Sequence, residues 1–224
     1  MTRPRDLICG SLWPKSGRAA LEKSQECAVK DTAEIPIFPL GTVLYPQGVL
    51  PLRIFEARYV DMTKACIGDD EVFGVCLIHE GREVGAPATP EIWGCTARIR
   101  HWEVPTPGLF SLITQGERIF CIRERYTTPS GLTRALVQYA AHPDPQPVPA
   151  RYRPLAQLIE DVSSQIDPRM LPTPMRLDDA AWVAWRLAEL LPLAAEDRLR
   201  LLQLRDGAAM LALIERHIGS AHAP

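Results

Sequence analysis

The stretch from Ile35 to Tyr59, I-P-I-F-P-L-G-T-V-L-Y-P-Q-G-V-L-P-L-R-I-F-E-A-R-Y, sets apolar side chains between Pro36, Pro39, Pro46 and Pro51. Proline fixes φ and donates no backbone hydrogen bond, so no helix can run through this stretch. Short extended pieces are expected instead, at a sheet edge or rim, with a bend at Pro46-Gln47-Gly48. Toward its end the pattern changes: Phe55, Tyr59, Met62 and Cys66 recur at helical spacing, and Gly68-Asp69-Asp70 stops the run. An extended apolar piece that feeds directly into an amphipathic helix needs a core supplied by the rest of the chain.

The following residues read as strands. Val72–Ile78 is a continuous apolar run, as in a strand buried on both faces, whereas Gly94–Val104 alternates and reads as half-buried. Pro105-Thr106-Pro107-Gly108 is turn chemistry, with Leu109–Thr114 as the returning strand, and Glu117–Tyr126 and Leu132–Tyr139 flank a second turn at Pro129-Ser130-Gly131. Strands at this spacing with one helix among them imply a strongly bent mixed sheet or partly closed barrel. The prolines of residues 143–150 form a stiff linker, and beyond it the periodicity is helical: Leu155 to Ile166, Asp178 to Pro192, Glu196 to Leu204 and Asp206 to Ile218. The expected organisation is a tail over residues 1–33 with a short helix over Arg18–Val29, a β unit over 34–142, the linker, and a helical bundle over 151–219.

Several of these segments carry a resemblance. P-I-F-P-L, V-L-Y-P-Q-G and L-P-L-R-I-F-E-A-R-Y are similar to the opening signature of the Lon substrate-binding domain, the N-terminal domain of ATP-dependent Lon proteases. G-C-T-A-R-I, G-E-R-I-F-C-I and W-R-L-A-E-L-L-P-L-A-A-E-D-R-L-R-L-L-Q-L resemble its later strands and C-terminal helices. The resemblance runs from residue 34 to about residue 218. It implies an α+β fold in which a PUA-like β pseudobarrel with one inserted helix precedes a C-terminal helical bundle, and it implies recognition of polypeptide substrates.

The chemistry of a complete Lon protease is not expected here. A phosphate-binding loop needs G-x-x-x-x-G-K-[ST], and a Ser-Lys peptidase needs a lysine base. The four lysines, Lys15, Lys23, Lys30 and Lys64, follow no such loop, and none lies beyond residue 64. The expectation is therefore a stand-alone, non-catalytic form lacking the ATPase and protease domains. No metal or cofactor is expected either. Cys76 and His79, three apart in a strand, face opposite sides, and the histidines at 79, 101, 142, 217 and 222 fall in no nucleophile motif. Glu56, Arg58 and Tyr59 are read as structural. Glu56 is placed near the positive helix terminus and Arg58 on backbone carbonyls or a carboxylate, the two not facing each other.

The expected partners are unfolded or exposed polypeptide segments, held in an apolar groove or at an open sheet edge between the β unit and the bundle, with a separate protease or chaperone as a further partner. Tyr45, Leu50, Trp93, Trp102 and Phe110 are the candidate contact residues, and an adaptor role in protein quality control follows from the resemblance. An RNA-binding PUA-like module is the alternative, suggested by Arg98, Arg100, Arg118, Arg123 and Arg125 among aromatics. Against it, residues 34–142 carry ten Lys/Arg and twelve Asp/Glu. The net charge of −2, the absence of a long apolar run and an N-terminus without a signal-like apolar core predict a cytoplasmic address with no membrane partner.

Overall fold

The computed structural model describes residues 31–221. Six strands form one sheet: β1 (Thr32–Leu40), β2 (Val49–Ile54), β3 (Phe73–Glu80), β4 (Thr89–Thr106), β5 (Leu109–Thr127) and β6 (Thr133–Tyr139). Helix α1 (Ala57–Asp69) lies between β2 and β3, and α2 (Arg153–Ser163), α3 (Ala180–Leu190), α4 (Ala195–Gln203) and α5 (Gly207–Ala221) follow the last strand. The helix expected over Arg18–Val29 falls outside the described residues. The sheet order is β2-β5-β4-β3-β1-β6, and β6 also pairs with β5, so five strands close into a ring with β2 attached beside it. Strands β1 and β3 are parallel, which demands a crossover, and β2 with α1 is that crossover.

The expectation of a sheet edge for the proline-rich opening holds for β2 and fails for β1, which is paired on both sides. The Tyr139 amide donates to the Asp31 carbonyl, so the odd-numbered residues of β1 turn their peptide groups toward β6. Pro39 belongs to that set, but pairing with β6 ends at Ile37↔Thr133. Pro36 turns toward β3, where pairing begins only at Ile37↔Gly74. Each proline therefore sits where the ladder has no partner to lose.

Strand β5 serves two partners along one edge: Phe110–Gln115 pair with β2, and Phe120–Thr127 pair with β6. Gly116 lies between the two pairings, where a Cβ would come within 2.1 Å of the Tyr45 carbonyl oxygen. The chain enters β2 through the turn Tyr45-Pro46-Gln47-Gly48, closed by Gly48 N–H to the Tyr45 carbonyl (2.9 Å). Gln47 holds a φ of 62°, where turns of this kind favour glycine, and its side-chain oxygen accepts from the Trp182 indole N–H at 2.9 Å.

One apolar cluster runs from the strand residues Phe73, Leu112 and Ile119 to the helices (Trp185, Leu187, Leu201), and a second, with Ile35, Ile37, Cys76, Phe120 and Val137, joins β1, β3, β5 and β6. Helix α3 is buried from Ala180 through Ala188, with Asp179 capping its first turn by accepting from the Ala181 amide. Its alanines bring α3 and α5 together, and Gly207 meets Ala180 and Ala181 where a Cβ would not fit.

Candidate functional site

Two depressions lie end to end along the open edge of β2. The first, about 280 Å³, has the end of β1 (Phe38, Leu40) on one wall, Pro51–Phe55 on the other, and Tyr59, Glu83 and Val84 around them. The second, about 190 Å³, continues both walls, with Thr42–Leu44 following β1 and Val49–Leu50 opening β2, and it abuts Ala188, Glu189 and Arg198 of the helices. The walls are consecutive in sequence, so the two depressions, together called the trough, adjoin along β2 between the β3–β4 loop and helices α3 and α4. Each is at or below the small end of ligand cavities, a size suited to side chains of an extended segment. At the outer end Phe55 and Val84 are each 57% exposed, an apolar pair without cover among the described residues.

The edge itself is blunted. The Gly116 amide donates to the Gly48 carbonyl, so even-numbered residues of β2 turn their peptide groups to β5, while Val49, Pro51 and Arg53 turn theirs to the open side. Pro51 removes the middle donor of that row. Continuous strand addition along this edge is therefore interrupted at its middle.

The end against the helices is polar. Arg186, 4% exposed, donates from Nη2 to the Pro46 carbonyl (3.2 Å) and to Glu189 Oε1 (2.8 Å). Although part of its side chain reaches solvent, Glu189 wedges its carboxyl against Gly48, whose Cβ would lie 2.3 Å from Oε1. Burial pushes that carboxyl up to about 7, against the lowering effect of Arg186.

The trough is braced at its other end by Arg58. Its Nη2 donates to Glu56 Oε2 and to the Gly85 carbonyl, both at 2.8 Å, and its Nη1 to the Gly131 carbonyl at 3.2 Å. The expected backbone anchoring is present, but the two charged residues do face each other. Glu56 is the N-cap with extended backbone (ψ 133°), so the helical geometry that would separate them does not apply, and its side chain makes no capping bond. Tyr59 packs against Phe38 with ring centroids 4.3 Å apart. Phe55, expected on the buried face of α1, precedes the helix and is exposed.

The five expected contact residues do not converge. Tyr45 is fully buried, stacked on Trp185 with its hydroxyl bonded to the Arg198 carbonyl, and so cannot face a partner. Leu50 lines the trough at the helices. Trp93 is half-buried beneath Arg205, whose guanidinium lies 5.7 Å from the ring centroid. Trp102 and Phe110 meet across the β4–β5 hairpin at 6.3 Å, Trp102 47% exposed and Phe110 buried. Phe55 and Val84 were missed, and the residue that could have exposed Phe55 is Glu56, a cap that starts the helix one position later.

The strand arginines are matched. Arg98 bonds Glu117 and Asp70, Arg100 bonds Gln115 and Glu117, Arg118 bonds Asp31, Arg123 bonds Gln138, and Arg125 bonds the Pro90 carbonyl. Burial raises the thiols of Cys76 and Cys95 far above the ordinary cysteine range, and that of Cys66 to about 11, so none is a thiolate at neutral pH. Among the described residues no group of three or more His, Cys, Asp or Glu side chains could hold a metal, and no helix is long and apolar enough to cross a membrane.

Comparison with known proteins gives one consistent result. The family described as ATP-dependent protease La (LON) substrate-binding domain matches residues 34–219. The crystal structure of a Lon N-terminal domain protein from Xanthomonas campestris is similar at 33% identity and TM-score 0.67, covering 86% of this chain and 99% of that one. The N-terminal domain of a Mycobacterium avium complex Lon protease shares the fold at 14% identity and TM-score 0.56, covering 85% of this chain and 100% of that one. No curated protein matches the chain.

Proposed function

This chain belongs to the ATP-dependent protease La (LON) substrate-binding domain family, and from that premise we propose that it is a non-catalytic module that captures unfolded or exposed polypeptide segments in the trough along β2. The observation that carries the reading is the trough's outer mouth, where Phe55 and Val84 stand exposed beside a largely apolar cleft. Apolar side chains of an extended segment enter that cleft, and Leu50 continues the contact surface toward the helices. The closed five-strand ring with its attached edge strand is read as a PUA-like pseudobarrel over residues 34–142, and the helices of 151–219 as the bundle that ends the trough. A module of this kind suits an adaptor that passes clients to a separate protease or chaperone.

The matched strand arginines favour protein over RNA as the partner, because each guanidinium already has an acidic or carbonyl acceptor. The test is fluorescence anisotropy of the full chain with a permanently unfolded model protein and, in parallel, a single-stranded RNA, each at two salt concentrations. Salt-tolerant protein binding that falls at least about fivefold in Phe55→Ala/Val84→Ala, with an unchanged melting temperature, is expected. Affinity unchanged by that pair, or RNA binding alone, overturns the reading.

A further inference from the structure

The two ends of the trough differ in what they can accept. At the mouth the walls are mainly apolar, with Arg53, Glu56 and Glu83 among them. At the helices, hydrogen-bond donors outnumber acceptors. A guanidinium carries five N–H donors. Arg186 uses only Nη2, and its Nε and Nη1 are buried with no partner. Arg198, which lines the depression, gives Nη2 to the Leu191 carbonyl at 3.2 Å and Nη1 to the Thr42 hydroxyl at 3.5 Å, the limit of a hydrogen bond, while its Nε is buried and unpartnered. Against these two cations stands one carboxylate, Glu189, whose Oε1 is already held by Arg186. Buried N–H groups without acceptors are rare in native proteins, and of these the Nε of Arg198 belongs to a side chain that lines the depression, where an acceptor is called for.

We propose that this depression is a carboxylate subsite, in which an aspartate or glutamate side chain of the captured segment docks on Arg198 and the Thr42 hydroxyl. The inference rests on the trough being the polypeptide site. Charge complementarity selects the occupant: Arg186, Glu189 and Arg198 together carry an excess of positive charge, which a carboxylate offsets and a lysine or arginine would increase. The trough also sets a spacing. Leu50 lies at the carboxylate end and Phe55 at the apolar mouth, and an extended chain advances roughly 3.3 Å per residue. The captured segment therefore places its acidic residue about four to five positions from the apolar residue that fills the mouth.

The test uses fluorescent peptides, acetylated and amidated at their ends, with a Phe-Leu pair and a glutamate five positions away, compared with the glutamine peptide and with one whose glutamate adjoins the pair. On the full chain the spaced glutamate peptide is expected to bind about fivefold tighter than the glutamine peptide, with the difference lost in Arg198→Gln and reduced in Thr42→Val. The peptide comparison on the unaltered protein stands by itself if Arg198→Gln fails to fold. Equal affinities for the glutamate and glutamine peptides, with binding intact, overturn the subsite and leave the trough standing. A preference regained by the glutamine peptide when its terminal carboxylate is left free overturns the side-chain assignment in favour of a chain end. Failure of every peptide and of the unfolded protein to bind overturns the trough itself.

Discussion

The Tyr45 hydroxyl donates to the Arg198 carbonyl oxygen across 2.8 Å, joining the turn that opens β2 to helix α4 over a separation of 153 residues. Tyr45→Phe removes the donor and leaves a carbonyl short of a partner, an expected loss of about 1 kcal/mol. Tyr45→Ala also empties the space against Trp185 and is expected to cost about 3–5 kcal/mol. Urea unfolding of the three proteins checks both figures.

Gly116→Ala sets a Cβ 2.1 Å from the Tyr45 carbonyl oxygen and 2.9 Å from its carbon, both backbone atoms that cannot swing aside. A loss above about 3 kcal/mol is expected. Gly68→Ala is the control: it lies in helix α1 with nothing within 4 Å of a new Cβ, and it is expected to gain about 0.5–1 kcal/mol. Thermal melts of the pair should move in opposite directions.

Arg58→Met removes the buried guanidinium that binds Glu56, Gly85 and Gly131. The methionine keeps the volume but leaves two carbonyls and a carboxylate unmatched, so a loss of about 2–4 kcal/mol is expected. Limited proteolysis should then cut earlier in the 81–88 and 128–131 loops, which this side chain ties together. Glu56→Gln, which keeps an acceptor for Arg58, should cost less.

Pro51→Val restores an amide on the open edge of β2. The variant is expected to fold, because that amide points away from β5, and to self-associate through edge pairing more strongly than the unaltered protein. Sedimentation velocity at matched concentrations reads the difference.

Glu189 gives a pH dependence of defined sign. Its folded-state value of about 7 lies above the ordinary 4.5, so the folded protein holds a proton that the unfolded chain releases. Stability from this group is therefore greatest below about 4.5 and declines as pH rises to about 7. Arg186 opposes the shift, and Tyr45 and Arg198 are the other titratable groups beside it. Melting temperatures from pH 5 to 8 should fall more steeply for the unaltered protein than for Glu189→Gln, whatever the offset between them.

The strands and helices were legible because their signals are local: alternation in Gly94–Val104, the turn at Pro129-Ser130-Gly131, and the helical spacing of Tyr59, Met62 and Cys66. Proline was misread in β1 because its effect depends on which neighbour each peptide group faces, and that is settled by β3 and β6. Tyr45 looked available because it adjoins a proline turn, but its acceptor comes from α4. Both walls of the trough lie within the opening stretch, whereas its mouth needs Val84 and its polar end needs Glu189 and Arg198. These meet the walls only after the sheet has curled and the helices have docked.

The closure of the ring by β6 also fixes an order for events on the ribosome. β1 emerges early and can take β3 as its parallel partner, but its other side waits for Thr133–Tyr139. At ~5–20 residues per second the wait between Leu40 and Thr133 is on the order of 5–20 s. During that time Ile35 and Ile37 have no cover from β6, and Phe120, the ring that packs against Ile37 and Gly74, has not arrived. A nascent chain stalled before Thr133 would thus present the kind of exposed apolar segment proposed above as this protein's client.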